Sequence, residues 1–326
     1  MTGKTGQGVT EGVPEPPGHL AALLAKGEFV VTSEIVPPRG ADPSVVVAHA
    51  RALVGSVDAV NVTDNPAASA HMSPLAGVRF AAEAGLEPTV QLTARDRNRL
   101  AITSDLLGAW ALGARNVFCL SGDPIDIGDH PDAAVVGDLD VAQVVGLARR
   151  LRDEGVILTG EVVAEPPRYL IGVADVPLAD PYDPSKLEAK LDAGADFVMT
   201  QIAYDIERVA AWVDVMRSRG LFERARVIVG VTPLRSAKQA HFMNEKLPGV
   251  SVPTAMIDAL TAAGDDAPAV GRDQAVDLIG QLRRHPFHGV HIMSMGHDDA
   301  TVAVIEASGL FPRPITVTNQ REIRDG

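Results

Sequence analysis

Eight short runs rich in β-branched and aliphatic residues recur along the chain, and a stretch with helical spacing separates each from the next. The runs occupy residues 29–36, 58–63, 88–93, 116–120, 169–174, 196–201, 226–230 and 289–294. Short apolar runs bounded by Gly, Pro or Asp read as buried strands, whereas longer segments with apolar residues three and four apart read as helices. Strict alternation of the two forces the strands parallel, because a crossover helix returns the chain to the same end of the sheet each time. Eight such units over about 300 residues predict an α/β fold, a parallel (β/α)8 TIM barrel. In that fold the C-terminal strand ends line one mouth. Glu34, Thr63, Gln91, Asp123, Asp175, Gln201, Thr232 and Ser294 stand at or near those ends. A collection of carboxylates, amides and hydroxyls there predicts an active site.

Composition narrows the remaining choices. Hydrophobic residues make up 46% of the 326 but aromatics only 4%, so the core must be built from Val, Ile, Leu and Ala, as barrel layers are. A single cysteine, Cys119, rules out an internal disulfide and a thiolate-rich metal site. His285, His288, His291 and His297 lie close in sequence without an H-E-x-x-H spacing, and no metal is predicted. The formal charge of −13 argues against a general nucleic-acid binder. No apolar run approaches the ~20 residues of a membrane span, and residues 1–18 lack a signal-peptide core. These features predict a cytoplasmic protein with a disordered tail over 1–17 and a single β/α-barrel catalytic domain over 18–326. Residues 19–26 have the spacing of a short helix that caps the barrel floor, 124–140 form a long loop, and 248–266 hold an extra helix. The Asp183-Pro184-Ser185 sequence marks a helix start, with Asp as N-cap and Pro at the first turn.

Glu34 is a lone carboxylate in the largely apolar run VVTSEIV, and Pro37-Pro38 ends that strand just beyond it. It is either a rim glutamate, exposed or paired with an arginine, or a buried acid. Desolvation would raise the pKa of a buried acid and fit it for general acid catalysis near neutral pH. No GxGxxG follows a strand, which excludes a Rossmann-type nucleotide site.

The segments SEIVPPRG, VDAVNVTDN, QLTARDRNR, LSGDP, KLDAGADFVMTQIAYD and GVTPLRSAKQAHFMNE occur in that order. Together they resemble the 5,10-methylenetetrahydrofolate reductase family over about residues 28–312, most closely its single-domain type from acetogenic bacteria. The resemblance implies a flavoprotein oxidoreductase of one-carbon metabolism and methionine biosynthesis. Its FAD would lie across the barrel mouth and carry reducing equivalents from NAD(P)H to methylenetetrahydrofolate. It further implies Glu34 as the acid that protonates N10, Asp123 as the carboxylate near flavin and folate cation, and Gln201 as a pterin ligand. Thr63, Gln91, Ser121, Gly122 and Asp123 would contact the flavin, and Asp183 with Lys190 its ribityl and phosphate part. Arg95, Arg97 and Arg99 are either solvated or attract an anionic portion of a ligand, His130 lies over the adenosine half or in solvent, and Phe242 or Met243 stacks near the flavin. The chain departs from the family where it has Gln91 for histidine, Ser121 for arginine, Asp64 for tyrosine and Met293 for an aromatic residue. Those departures bear on FAD retention. They keep open an alternative, a partner-dependent or non-catalytic folate- or flavin-binding subunit that needs a second chain for electrons, and leave homo-oligomerisation undecided.

Overall fold

Strand and helix alternate through the whole molecule, and the last strand pairs with the first. The computed structural model describes residues 16–293 and 295–314, so most of the predicted tail and Ser294 lie outside the described residues. The strands are β1 (Val30–Ile35), β2 (Ala59–Val62), β3 (Pro88–Thr93), β4 (Asn116–Leu120), β5 (Leu170–Asp175), β6 (Phe197–Ile202), β7 (Arg226–Val231) and β8 (Gly289–Ile292). They form a closed all-parallel barrel in sequential order, the predicted (β/α)8 TIM barrel. The helices are α1 (His19–Ala25), α2 (Pro43–Leu53), α3 (Pro74–Glu83), α4 (Arg99–Ala111), α5 (Val141–Asp153), α6 (Pro184–Ala193), α7 (Ile206–Ser218), α8 (Ala237–Lys246), α9 (Thr254–Ala263), α10 (Ala267–Leu282) and α11 (Asp298–Ala307). The predicted extra helix is α9, which with α10 lengthens the connection from β7 to β8. No helix among the described residues is long and apolar enough to cross a membrane.

Local chemistry explains why helices begin where they do. Asp42, Ser73, Asn98, Asp140, Asp183, Asp205 and Ser236 each accept a backbone N–H of the first turn that follows them. Such caps satisfy donors that have no intrahelical partner. Proline occupies the first turn of α2, α3 and α6, where its missing N–H costs nothing.

Side chains alternate along each strand, so each strand feeds two cores. Val31, Ile35, Val60, Val62, Val90, Val117, Val173 and Val229 pack outward into the layer shared with the helices. Val30, Ala59, Phe118, Phe197, Met199 and Ile228 point inward and meet Leu20, Leu23 and Leu24 of α1, which plugs the floor as its spacing predicts.

Buried ionic groups fasten that plug. Asp58 accepts from the Val31 backbone at 2.7 Å and from Arg313, whose Nη2 lies 2.8 Å away. His19 Nε2 is 3.5 Å from the same carboxylate. Glu87 accepts from the backbone of His19 and Leu20 and from Asn116 Nδ2. Arg313 also donates to the Phe29 carbonyl at 2.8 Å, so it joins the end of α11's exit segment to β1. Removing one partner of a buried pair leaves the other uncompensated, a loss of about 3–5 kcal/mol. Arg313→Met is therefore expected to lower the unfolding free energy by about that amount, while Asp58→Asn added to it restores part of the loss. Urea denaturation of the three proteins measures both effects.

Candidate active site

The inward alternation continues to the C-terminal end of the barrel and decides which polar residues share the mouth. Thr32 faces inward, with its Oγ1 2.9 Å from His291 Nδ1 on the neighbouring strand. Glu34, two residues on, therefore also faces inward, and Asn61 is its register partner on β2. Glu34 is half-buried, and among the described residues its carboxyl makes no hydrogen bond or ion pair. Burial pushes its pKa up to about 7, and pushes His291 down to about 4. Near neutral pH the barrel neck therefore holds a neutral imidazole and an acid poised between its two forms.

Thr63, Gln91 and Gln201 join Glu34 at this level. Thr63 is buried, and its Oγ1 has no partner among the described residues; the same holds for Thr232 Oγ1. Gln91 is half-buried, with its side-chain amide equally unengaged. Gln201 sits where β6 bulges against β7, as the register slips between Met199 and Ile202. A bulge re-aims the side chains beyond it, and Gln201 Oε1 is held by the Ile202 N–H at 3.0 Å. Gly230 opposite makes room, because a Cβ there would stand 2.7 Å from the Thr200 carbonyl and 2.8 Å from the Met293 methyl.

Asp123 lies on the loop above β4 and is exposed. Its carboxylate accepts the Ala67 N–H at 2.7 Å, and its backbone carbonyl accepts from Arg95 at 2.7 Å. The β2 loop that it grips is strained, with Asn65, Ala67 and Ala68 all at positive φ. Asp129 takes the Ala70 N–H from the same loop at 3.1 Å. Gly122 needs its positive φ and its lack of a side chain, because a Cβ would come within 2.3 Å of Thr93. Beside it opens an apolar cavity of about 450 Å³ lined by Ala94, Ser121, Gly122, Asp123, Ile125 and Val141. A larger cavity of about 570 Å³ runs along the outside of α5, away from the inward residues.

Other anticipated residues stand elsewhere. Asp175 does not face the mouth: it points outward between strand and helices, where Tyr182 and Trp212 each donate to it at 2.9 Å. Period two along β5 gives the inward place to Ala174. Asp183 is exposed and spends its carboxylate as the N-cap of α6, while Lys190 turns inward to the Ala174 carbonyl at 2.7 Å. Burial lowers the Lys190 pKa, with Asp175 opposing the shift. Arg95 and Arg97 are largely buried, Arg99 is a solvated surface arginine, and all three are paired with carboxylates. Arg95 pairs with Asp96, Arg97 bridges Asp64 and Asp105, and Arg99 grips Asp138. Met243 is in the core, Phe242 is exposed on α8, and His130 is exposed on its loop. Asn61 is an inward polar residue absent from the sequence expectations, and His291 entered them only as a metal-ligand candidate, although the alternation around Thr63 and in β8 carries the signal for both.

The methylenetetrahydrofolate reductase family model matches residues 19–309, which contain all eight strands. The chain belongs to this family. Methylenetetrahydrofolate reductase 1 of Schizosaccharomyces pombe is 28% identical over 73% of the chain, and the chain covers 39% of that protein. The 5,10-methylenetetrahydrofolate reductase of Pectobacterium carotovorum is 25% identical over 70% of the chain, with 72% of its own length covered. The chain thus spans about two fifths of the length of the yeast relatives that it matches. Among solved structures, an uncharacterized protein from Clostridium thermocellum that binds two copies of 5-methyl-5,6,7,8-tetrahydrofolic acid shares the fold. Its TM-score is 0.57 at 13% identity, over 88% of this chain and 97% of that one. Within this reductase-family match Glu34, Asp123 and Gln201 all lie at the C-terminal end of the barrel, because the strands are parallel.

The raised Glu34 pKa has a consequence for stability. Between its ordinary value of 4.5 and about 7, the folded protein holds a proton that the unfolded chain has released. Stability from this group is therefore present below pH 4.5 and lost as pH rises to about 7. Glu34→Gln removes that dependence. The variant is expected to match the parent in stability near pH 4 and exceed it by about 1–3 kcal/mol at pH 8, as measured by denaturant melts across pH.

Proposed function

We propose that the protein is a methylenetetrahydrofolate reductase that converts 5,10-methylenetetrahydrofolate to 5-methyltetrahydrofolate, with FAD as cofactor and NAD(P)H as electron donor. The observation that carries this reading is Glu34, an unpaired inward carboxyl at the mouth whose pKa is raised to about 7 by burial. The imidazolidine ring of the substrate must open before its methylene carbon can be reduced. Ring opening breaks the bond between that carbon and N10 and leaves a 5-iminium cation. A proton delivered to N10 lets the bond break, and an acid with a pKa near the working pH suits that transfer. Glu34 gives up the proton and becomes the carboxylate. Asp123 adds negative charge on the loop above, which favours the developing cation. Gln201, with Oε1 held by the backbone, presents its NH₂ group to the pterin.

The residues present suit a flavin. Thr63 Oγ1 is buried with no partner among the described residues, Gln91 has an unengaged amide, and the apolar cavity beside Ser121, Gly122 and Asp123 offers a surface for a planar ring. When bound, FAD supplies the transfer of reducing equivalents between nicotinamide and folate. Thr63, Gln91, Ser121, Gly122 and Asp123 would hold it, with Asp183 and Lys190 on the α6 side.

One feature favours the second reading, a subunit that depends on a partner for electrons. Arg95, Arg97 and Lys190 are already engaged within the protein, which weakens the case for tight binding of a diphosphate. The absorbance spectrum of the purified chain, with and without added FAD, separates the two. Retained or restored flavin absorbance and dye reduction by NADH alone support the complete reductase. Failure to bind FAD at tens of micromolar supports the dependent subunit.

Glu34→Gln tests the proton donor. Only the folate half-reaction uses that proton, so its rate is expected to fall by a factor of about 10²–10⁴. Flavin reduction by the nicotinamide should change little. Stopped-flow measurement of each half-reaction decides the point, and equal slowing of both would assign Glu34 to the cofactor site or the fold.

A further inference from the structure

Asn61 occupies the inward position beside Glu34. The two are register partners on β1 and β2, so their side chains enter the barrel from adjacent strands at the same level. Asn61 is 1% exposed. Its Nδ2 donates to Met199 Sδ across the barrel at 3.4 Å, while its Oδ1 is buried with no donor among the described residues. This inverts normal satisfaction. The amide has given its N–H to a weak thioether acceptor and left its strong carbonyl acceptor empty. An unsatisfied buried carbonyl carries the whole desolvation penalty of the group and calls for an explanation. Turning the amide over would not supply one, because a thioether has no hydrogen to give.

Glu34 is the complementary case. In its ionised form it offers only acceptors, and a second acceptor beside it is unfavourable. In its neutral form it carries one O–H that needs an acceptor. The other groups facing this level do not compete for it as charges. His291 on β8 is neutral above about pH 4 and bonded to Thr32. Gln91 on β3, Gln201 on β6 and Thr63 on β2 are uncharged. At the end of β2, Asp64 is neutralised by Arg97. Asp123, above β4, is the remaining carboxylate and is turned to the Ala67 N–H.

We propose that Asn61 is the positioning residue of the general acid: its Oδ1 accepts the O–H of neutral Glu34 and aims the proton until the substrate nitrogen takes it. Met199 fixes the amide so that the acceptor side faces the acid. The inference rests on the reading of Glu34 as proton donor and adds a residue to it. In the proton transfer the Glu34 O–H bond breaks and the N10–H bond forms. Asn61 gives up one hydrogen bond and undergoes no covalent change.

The test uses Asn61→Val and Asn61→Thr, a pair of nearly equal shape that suits a strand and differs in one hydroxyl acceptor. Infrared difference spectra of the full chain across pH, without folate or flavin, isolate the C=O band of protonated Glu34 by its absence in Glu34→Gln. The expected result is a wild-type band characteristic of a carboxylic acid that donates a hydrogen bond. It should move to the free-acid position in Asn61→Val and return towards the wild-type position in Asn61→Thr. The folate half-reaction should fall about three- to tenfold in Asn61→Val and recover to within about twofold in Asn61→Thr, with flavin reduction unchanged in both. A wild-type band already at the free-acid position overturns the proposal even if Asn61→Val does not fold. A band that stays put in Asn61→Val overturns it too, while the large loss expected in Glu34→Gln would leave the donor reading intact. If Glu34→Gln retains the folate half-reaction, the donor reading itself fails and the positioning role goes with it.

Discussion

Closure of the sheet between β1 and β8 is the constraint from which the site follows. It sets Thr32 beside His291 and leaves Glu34 on the inward face one step higher. Were the register to slip by one residue, Glu34 would turn into the outer layer and Ile35 into the mouth. Contacts far from the chemistry hold that register. Arg313 ties the segment after α11 to Asp58 and to the Phe29 carbonyl, and α1 fills the floor beneath. His49 on α2 meets Asp298 on α11, which adds a contact between the first and last helices of the ring.

The interior becomes more polar as it rises from this floor. Leucines and phenylalanines fill the lower layer. Thr32 and His291 follow above them, and then Glu34, Asn61, Thr63, Gln91 and Gln201. Above the strands, the β2 and β4 loops are locked together by Asp123 and Asp129, whose carboxylates take backbone N–H groups from a segment with three positive-φ residues. Strain of that kind persists only where surrounding contacts over-determine it. The cationic side chains near these loops are consumed in pairs with Asp64, Asp96, Asp105 and Asp138. Among the described residues the neck beneath these loops is therefore organised around neutral hydrogen-bonding groups and the Glu34 carboxyl.

Much of this was legible before any coordinates. The strand runs, the plug over 19–26 and the Asp183 cap on α6 fall where their patterns put them, because each depends on contacts within a few residues. Glu34 was legible as a candidate because a carboxylate is unusual in an otherwise largely apolar strand. Asp175 was misjudged for a related reason. It too ends a strand, but the parity of β5 turns it towards Trp212. Arg95 and Arg97 looked like surface charge, but other loops supply partners to both, the Asp123 backbone carbonyl to Arg95 and the Asp64 carboxylate to Arg97.

By itself the sequence determined the barrel, its element order and the end of the barrel that carries the polar residues, since hydrophobic period and helix caps are local properties of the chain. Only the tertiary structure decided which of those polar groups share the neck and which are already spoken for. That depends on register across the closed sheet, on the bulge at Gln201 and on pairings between residues far apart in sequence. The pKa of Glu34 belongs to the same class, because desolvation is set by everything packed around a group and not by its neighbours along the chain.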